Sequence, residues 1–126
     1  MSVTVQANCV ITITDNSSGA VTLQKQVVGS YVGTVSEFAS NVLFGTSPTS
    51  VSLPGSPTNF VYIRNLSTTA NLTVSWTPNG GSSNEVILLE PTSFLILDEN
   101  NASAGITALS VTASAATTPA EYILCA

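Results

Sequence analysis

The chain has very few charged side chains and no histidine. Nine of its 126 residues are charged, 7% of the total, whereas soluble domains carry about 25%. Without histidine, the Ser-His-Asp triad, the Cys-His pair and the common histidine-based zinc sites are excluded. Two cysteines, Cys9 and Cys125, are too few for a four-ligand zinc site, and free buried thiols are favoured over a disulfide. We therefore expect no catalytic residue, no cofactor and no metal site.

Cations are scarcer still, since Lys25 and Arg64 oppose seven acidic residues and the formal net charge is −5. Nucleic acids and anionic membranes both require clustered cations, so neither is expected as a partner. No apolar run approaches the ~18 residues that span a bilayer. Residues 1–6 lack the basic and apolar regions of a secretory signal. The length predicts one domain over residues 1–126.

The acidic residues suggest two kinds of site to consider, a glycosidase carboxylate pair and a calcium site. Glu85 with Glu90, or Glu90 with Asp98, are the carboxylate pairs available to a glycosidase. Residues 98–101, Asp-Glu-Asn-Asn, offer oxygen ligands to calcium, but the run lacks the ligand spacing of an EF-hand loop. Because no spacing selects these groups, we interpret them as solvated turns and strand ends.

Alternation of apolar and polar residues over 3–14 predicts a β-strand, and the polar cluster at 15–19 predicts a turn. Further strands are predicted at 20–28, 31–35, 60–65, 72–77, 85–89, 93–97, 105–113 and 121–125. Gly29-Ser30 is expected to separate the first two of these. The proline-rich residues 46–59 are predicted to be a loop with at most one edge strand, at 50–53. About eight or nine short strands at roughly ten-residue spacing predict an all-β fold, an antiparallel β-sandwich or jelly roll.

Residues 36–44 are ambiguous between a strand and one short helix. Ser36 is a residue type that caps helices, and Phe38 and Val42 are four apart, so they would share a helix face. Gly45 would end such a helix.

Three aromatic residues are the candidate ligand-binding residues. Trp76, Tyr31 and Tyr62 would together form a platform for a sugar ring. Tyr62 and Trp76 lie within predicted strands, where aromatic side chains usually belong to the core. The platform supports an alternative function, a carbohydrate-binding or adhesive module.

Serine, threonine, asparagine and glycine occupy positions where most domains carry charges. Small hydroxyl groups suit close contact between molecules, because burying them avoids the desolvation of charged groups. The composition therefore predicts a homo-oligomer whose association depends weakly on salt.

Several short motifs resemble those of small phage virion proteins. Residues 60–67 contain a strand that reads Tyr-Ile-x-Asn, a valine-rich strand follows at 72–77, and residues 89–92 form a Leu-x-Pro turn with Thr92 where glycine is expected. Residues 105–111 and 119–122 continue the pattern, so the resemblance covers residues 58–126.

This resemblance implies a non-enzymatic β-sandwich protein of a phage particle, which decorates or cements the capsid or forms part of the tail. It also implies contacts with other virion proteins and a location in the virion, after assembly in the host cytoplasm.

Overall fold

The computed structural model describes residues 3–15, 17–33, 36–98 and 105–126, and the regular elements in these ranges are β-strands. The ten strands are β1 (Val3–Thr14), β2 (Val21–Gly33), β3 (Ser36–Phe44), β4 (Thr49–Ser50), β5 (Phe60–Asn65), β6 (Leu72–Pro78), β7 (Glu85–Leu89), β8 (Phe94–Asp98), β9 (Ile106–Ala113) and β10 (Thr118–Cys125). The prediction of an all-β fold is confirmed, and β5 and β7 have the predicted bounds.

The strands form a hairpin and two four-stranded antiparallel sheets. β1 pairs with β2, and the two larger sheets have the orders β3-β10-β5-β8 and β4-β9-β6-β7. When β3 to β10 are counted as strands 1 to 8, these orders are 1-8-3-6 and 2-7-4-5, the topology of a jelly roll. The predicted sandwich is therefore an eight-stranded jelly roll preceded by a hairpin.

The core lies between the two four-stranded sheets. Each sheet points alternate residues inward, and these side chains form one cluster. Its largest fully buried side chains are Val61, Ile63, Leu72, Val74, Val111 and Leu124. Burying each such side chain stabilises the fold by about 1.5–3 kcal/mol, so this inter-sheet cluster is the main stabilising feature of the jelly roll.

The helix considered for residues 36–44 is wrong, because this stretch is strand β3 along the edge of β10. A β-bulge interrupts the pairing, and Asn41 at this point has φ 55°. The extra residue changes which face the following side chains occupy. Phe38 is therefore exposed while Val42 packs against the core, and their four-residue spacing reflects a bulged strand rather than a helical turn.

The break predicted at Gly29-Ser30 is also wrong. Both residues remain within β2, where Gly29 pairs with Ala7 and Ser30 with Gln6. The long alternating strand β1 supplies partners beyond the glycine, so the strand predicted to begin at Tyr31 is the end of β2. Residues 34–35 of that prediction lie outside the described residues.

Asn65 is a fully buried amide that holds two loops together. Its Nδ2 donates hydrogen bonds to the carbonyl oxygens of Ala70, Glu90 and Leu89 at 2.8, 3.1 and 3.2 Å. Its Oδ1 accepts from the Ser67 amide at 3.0 Å. The asparagine of the Tyr-Ile-x-Asn motif therefore links the β5–β6 loop to the β7–β8 loop.

Cys125 is a free, buried cysteine at the end of β10, as the favoured interpretation predicted for this residue. Burial raises the pKa of its thiol, which keeps it neutral and poorly nucleophilic.

Candidate interaction surfaces

The outer face of the sheet β3-β10-β5-β8 carries a row of large apolar side chains. Phe38 pairs with Ile123, Ile123 with Tyr62, and Tyr62 with Ile96, one residue from each strand. Phe94 adds a second ring, with its centroid 6.4 Å from that of Tyr62. Phe38, Phe94 and Ile96 are exposed. We call these five residues the aromatic face, a solvent-facing apolar patch of the kind that marks interaction sites.

Tyr62 has a hydrogen-bond partner on the neighbouring strand. Its hydroxyl donates to Glu121 Oε1 at 2.8 Å, and Glu121 pairs with Arg64 in the sheet register. Burial and the Glu121 carboxylate raise the pKa of Tyr62, so the phenol stays protonated near neutral pH. This arrangement fixes the ring in the aromatic face and offers no activated nucleophile.

A groove separates the aromatic face from the β1–β2 hairpin. It has a volume of about 450 Å³ and is bordered by two hairpin residues and five residues of the sheet and its β7–β8 turn. These residues are Asn8, Val10, Tyr62, Arg64, Thr92, Phe94 and Ile96. Closely packed protein surfaces leave few voids larger than a water molecule. The hairpin is therefore not closely packed against the sheet β3-β10-β5-β8 at this groove.

The outer face of the second sheet, β4-β9-β6-β7, has no charged residue among the strand positions that the structure describes. Side chains alternate with the buried Val74 and Val111, which assigns this face from the sheet register. Its residues are Ser50, Thr73, Ser75, Thr77, Val86, Leu88, Ala108, Ser110 and Thr112. We call this set the hydroxyl face. Val86 and Leu88 are exposed on its edge strand β7, which has no lysine to discourage pairing with another chain.

The structure does not bring the three candidate sugar-binding aromatics together. Trp76, in β6, packs against the core between the sheets. Tyr62, in β5 of the other sheet, lies on the outer surface of that sheet, in the aromatic face. Tyr31 lies in β2 opposite Val5, and its side chain is outside the described part of the chain. Tyr62 and Trp76 therefore do not share a platform.

Trp76 instead borders a cavity of about 260 Å³ at one end of the core, together with Val61, Leu97, Glu85 and Asn59. Asn59 Oδ1 is buried and has no hydrogen-bond partner among the residues that the structure describes. The wall is tight at Gly105, where an added Cβ would approach this oxygen to 2.5 Å.

The carboxylates considered for catalysis are spread over two sheets. Glu85 begins β7, Glu90 follows β7, and Asp98 ends β8, which belongs to the other sheet. Within residues 3–15, 17–33, 36–98 and 105–126, no group of three acidic, cysteine or histidine residues is placed to hold a metal ion. Residues 99–101 of the calcium hypothesis lie outside the described residues. The same ranges contain no helix of the length and apolarity needed to cross a membrane.

Comparisons with known proteins identify no relative. No protein-family model, no curated protein and no solved structure matches this chain.

Sequence reasoning did not single out the aromatic face, although β8 carried a signal for it. The strand reads Phe-Leu-Ile-Leu, apolar at each successive position. A strand with one buried face should alternate, so this continuous run indicates a second apolar face. Phe38 gave no such signal, because its stretch was open to interpretation as a helix.

Proposed function

We propose that the chain is a non-enzymatic virion structural protein that decorates or cements a phage capsid or forms part of the tail. The observation that carries this proposal is the jelly roll with an uncharged hydroxyl face on one sheet and an aromatic face on the other. Jelly rolls are common in viral capsid proteins and also occur in lectins and cupins. Because a fold hosts many functions, the argument rests on the surfaces.

Both faces suit permanent contact with other proteins. The hydroxyl face can be covered without desolvating a charge, which is the costly step when charged surfaces meet. The aromatic face supplies half-exposed Phe38 and Phe94, and aromatic side chains are enriched at protein interfaces. A subunit that contacts its own copies and other virion proteins needs surfaces of this kind, and the resemblance over residues 58–126 supports the same function.

The carbohydrate-binding alternative has less support. A sugar platform needs coplanar exposed aromatics on one surface, and Trp76 lies in the inter-sheet layer while Tyr62 lies outside it. Tyr62 and Phe94 do share the aromatic face, but their rings are tilted by 40° rather than aligned as a flat platform.

Purified particles test the proposal directly. Particles of the phage that encodes the chain should be banded on a density gradient, stripped of loosely bound protein in high salt, and quantified by mass spectrometry. We expect the chain at a fixed, high ratio to the major capsid or tail protein. Recovery from infected-cell lysate with none in the particles would overturn the proposal.

A further inference from the structure

The β1–β2 hairpin is a long two-stranded sheet with open edges. Its strands have 12 and 13 residues, and in the described part of the chain they pair with each other but with neither four-stranded sheet. An isolated hairpin is marginally stable in water, and an unpaired strand edge is a template for another chain. The hairpin therefore has backbone groups and side chains that its own jelly roll does not cover.

The two faces of the hairpin differ in polarity. Ile11 pairs with Lys25 and Ile13 with Leu23, so these four side chains share one face. Ile11, Ile13 and Leu23 form the apolar cluster of this face, and we call them the hairpin cluster.

The opposite face of the hairpin is more polar. It carries Asn8, Val10, Gln24 and Gln26, and Gln26 Nε2 donates a hydrogen bond to Asn8 Oδ1 at 2.9 Å.

The more polar face is the one that borders the jelly roll. Asn8 and Val10 line the groove against the aromatic face, so the hairpin cluster on the other side points away from the sheet. Ile11, Ile13 and Leu23 expose 49%, 51% and 52% of their surface. A hairpin that served only its own domain would place its apolar face on the core and its polar face in water. In this chain the more polar face of the hairpin borders the jelly roll and the apolar hairpin cluster faces water.

We propose that the hairpin cluster is an interface with the hairpins of further copies of this chain. A second copy presents an identical uncovered apolar face, so a single contact covers both. The charge distribution favours the same partner. Asp15 and Lys25 cancel within residues 1–35, and the whole net charge of −5 falls on residues 36–126. Copies therefore meet without net repulsion through their hairpins, whereas contact between two jelly rolls brings like charges together.

The area of one hairpin face sets the size of this contact. A strand of 12 residues is about 40 Å long, and two strands with their side chains are about 10 Å wide, giving roughly 400 Å² per face. A specific interface needs about 800 Å² per partner. One hairpin face therefore supplies about half of that area, so the contact between two hairpin clusters is small for a specific interface. This inference extends the proposed assembly function to a defined surface.

Matched lysine variants of the full chain test the interface. Ile11→Lys with Leu23→Lys places two charges in the hairpin cluster, and Val10→Lys with Gln24→Lys places two charges on the opposite face of the same strands. Sedimentation and light scattering from 1 to 200 µM give the oligomeric state. Fluorescence of Trp76, the single tryptophan, reports whether the jelly roll remains folded.

We expect wild type and the opposite-face variant to be oligomeric over a range of salt concentrations. The cluster variant should remain folded and associate at least ~100-fold more weakly, since interface hot spots contribute 2 kcal/mol or more each. If the lysines unfold the protein, Ile11→Ser with Leu23→Ser provides the same comparison without added charge.

Three results would overturn the inference: a monomeric wild type, a cluster variant that associates like wild type, or equal loss in both lysine variants. Particle content decides the proposed function separately. A monomer found at a fixed ratio in particles would refute the hairpin interface and leave the virion function standing. A hairpin-dependent oligomer that is missing from particles would support the hairpin interface and refute the virion function.

Discussion

Replacing Asn65 should destabilise the jelly roll far more than replacing an exposed asparagine. The Asn65 side chain is fully buried between two loops, where its amide faces three carbonyl oxygens and its Oδ1 accepts the Ser67 amide. Asn65→Ala removes these hydrogen bonds and leaves the carbonyl groups of Ala70 and Leu89, both in buried residues, without that donor.

The expected loss is about 3 kcal/mol. The amide has two hydrogens for three acceptors, so we count two donated bonds and one accepted bond, at about 1 kcal/mol net each. Asn65→Asp is nearly the same size but presents acceptors to the carbonyl oxygens in place of donors. It should therefore cost at least as much as alanine, and more above the carboxyl pKa. A packing effect alone predicts the reverse order, with aspartate the milder change.

Urea unfolding followed by Trp76 fluorescence measures both variants. For a slope of about 1.5 kcal/mol/M, a loss of 3 kcal/mol lowers the midpoint by about 2 M. The matched control is Asn84→Ala, because Asn84 is exposed and accepts one hydrogen bond from Thr77; its change should stay within about 0.5 kcal/mol. If Asn65→Ala behaves like Asn84→Ala, the amide does not hold the two loops together.

Three further changes test other features of the fold. Thr92 has φ 66°, so Thr92→Gly should raise stability by about 1 kcal/mol in urea unfolding, and a lowered midpoint would contradict the strain. Gly105→Ala brings a Cβ to 2.5 Å from the Thr58 carbonyl oxygen at φ +91° and should cost about 2 kcal/mol or more; Gly45→Ala, with open space around it, should show little change in thermal unfolding. In a Cys9→Ser background, Cys125 should react with a thiol reagent only on unfolding, because it is buried with a raised thiol pKa; rapid labelling of folded protein would refute that burial.

The strands of the jelly roll were largely predictable because local patterns and tertiary pairing agree there. Residues 60–65 and 85–89 are β-branched or apolar runs bounded by turns, and β5 and β7 have those bounds. The disagreements arise where pairing with a neighbour decided the outcome. β3 depends on β10 and a bulge at Asn41, and β2 continues through Gly29 because β1 lies beside it. A sequence pattern over a few neighbouring residues does not show that β10 pairs with β3 or that β1 pairs with β2.

The candidate surfaces were less predictable than the fold. The composition correctly indicated a surface poor in charge, but the aromatic face joins residues from β3, β10, β5 and β8, whose adjacency depends on the topology. The same applies to the separation of Tyr62 from Trp76, since adjacent predicted strands belong to different sheets. The orientation of the hairpin cluster depends on which face of β1 borders the groove beside β5 and β8, and alternation along the chain does not contain that information.

The uneven placement of charge along the chain has a consequence for how large an assembly can grow. If neutral hairpins gather at a centre, the jelly rolls that carry the net charge lie at the periphery and repel one another. At physiological salt this repulsion extends about 8 Å, so it acts between touching neighbours and opens the angle between them. Each added copy then meets a steeper penalty, and growth ends in a closed, splayed cluster rather than a continuous layer. Raising the ionic strength relaxes that limit, so the number of copies per cluster, and not the hairpin contact itself, is the quantity that salt should change.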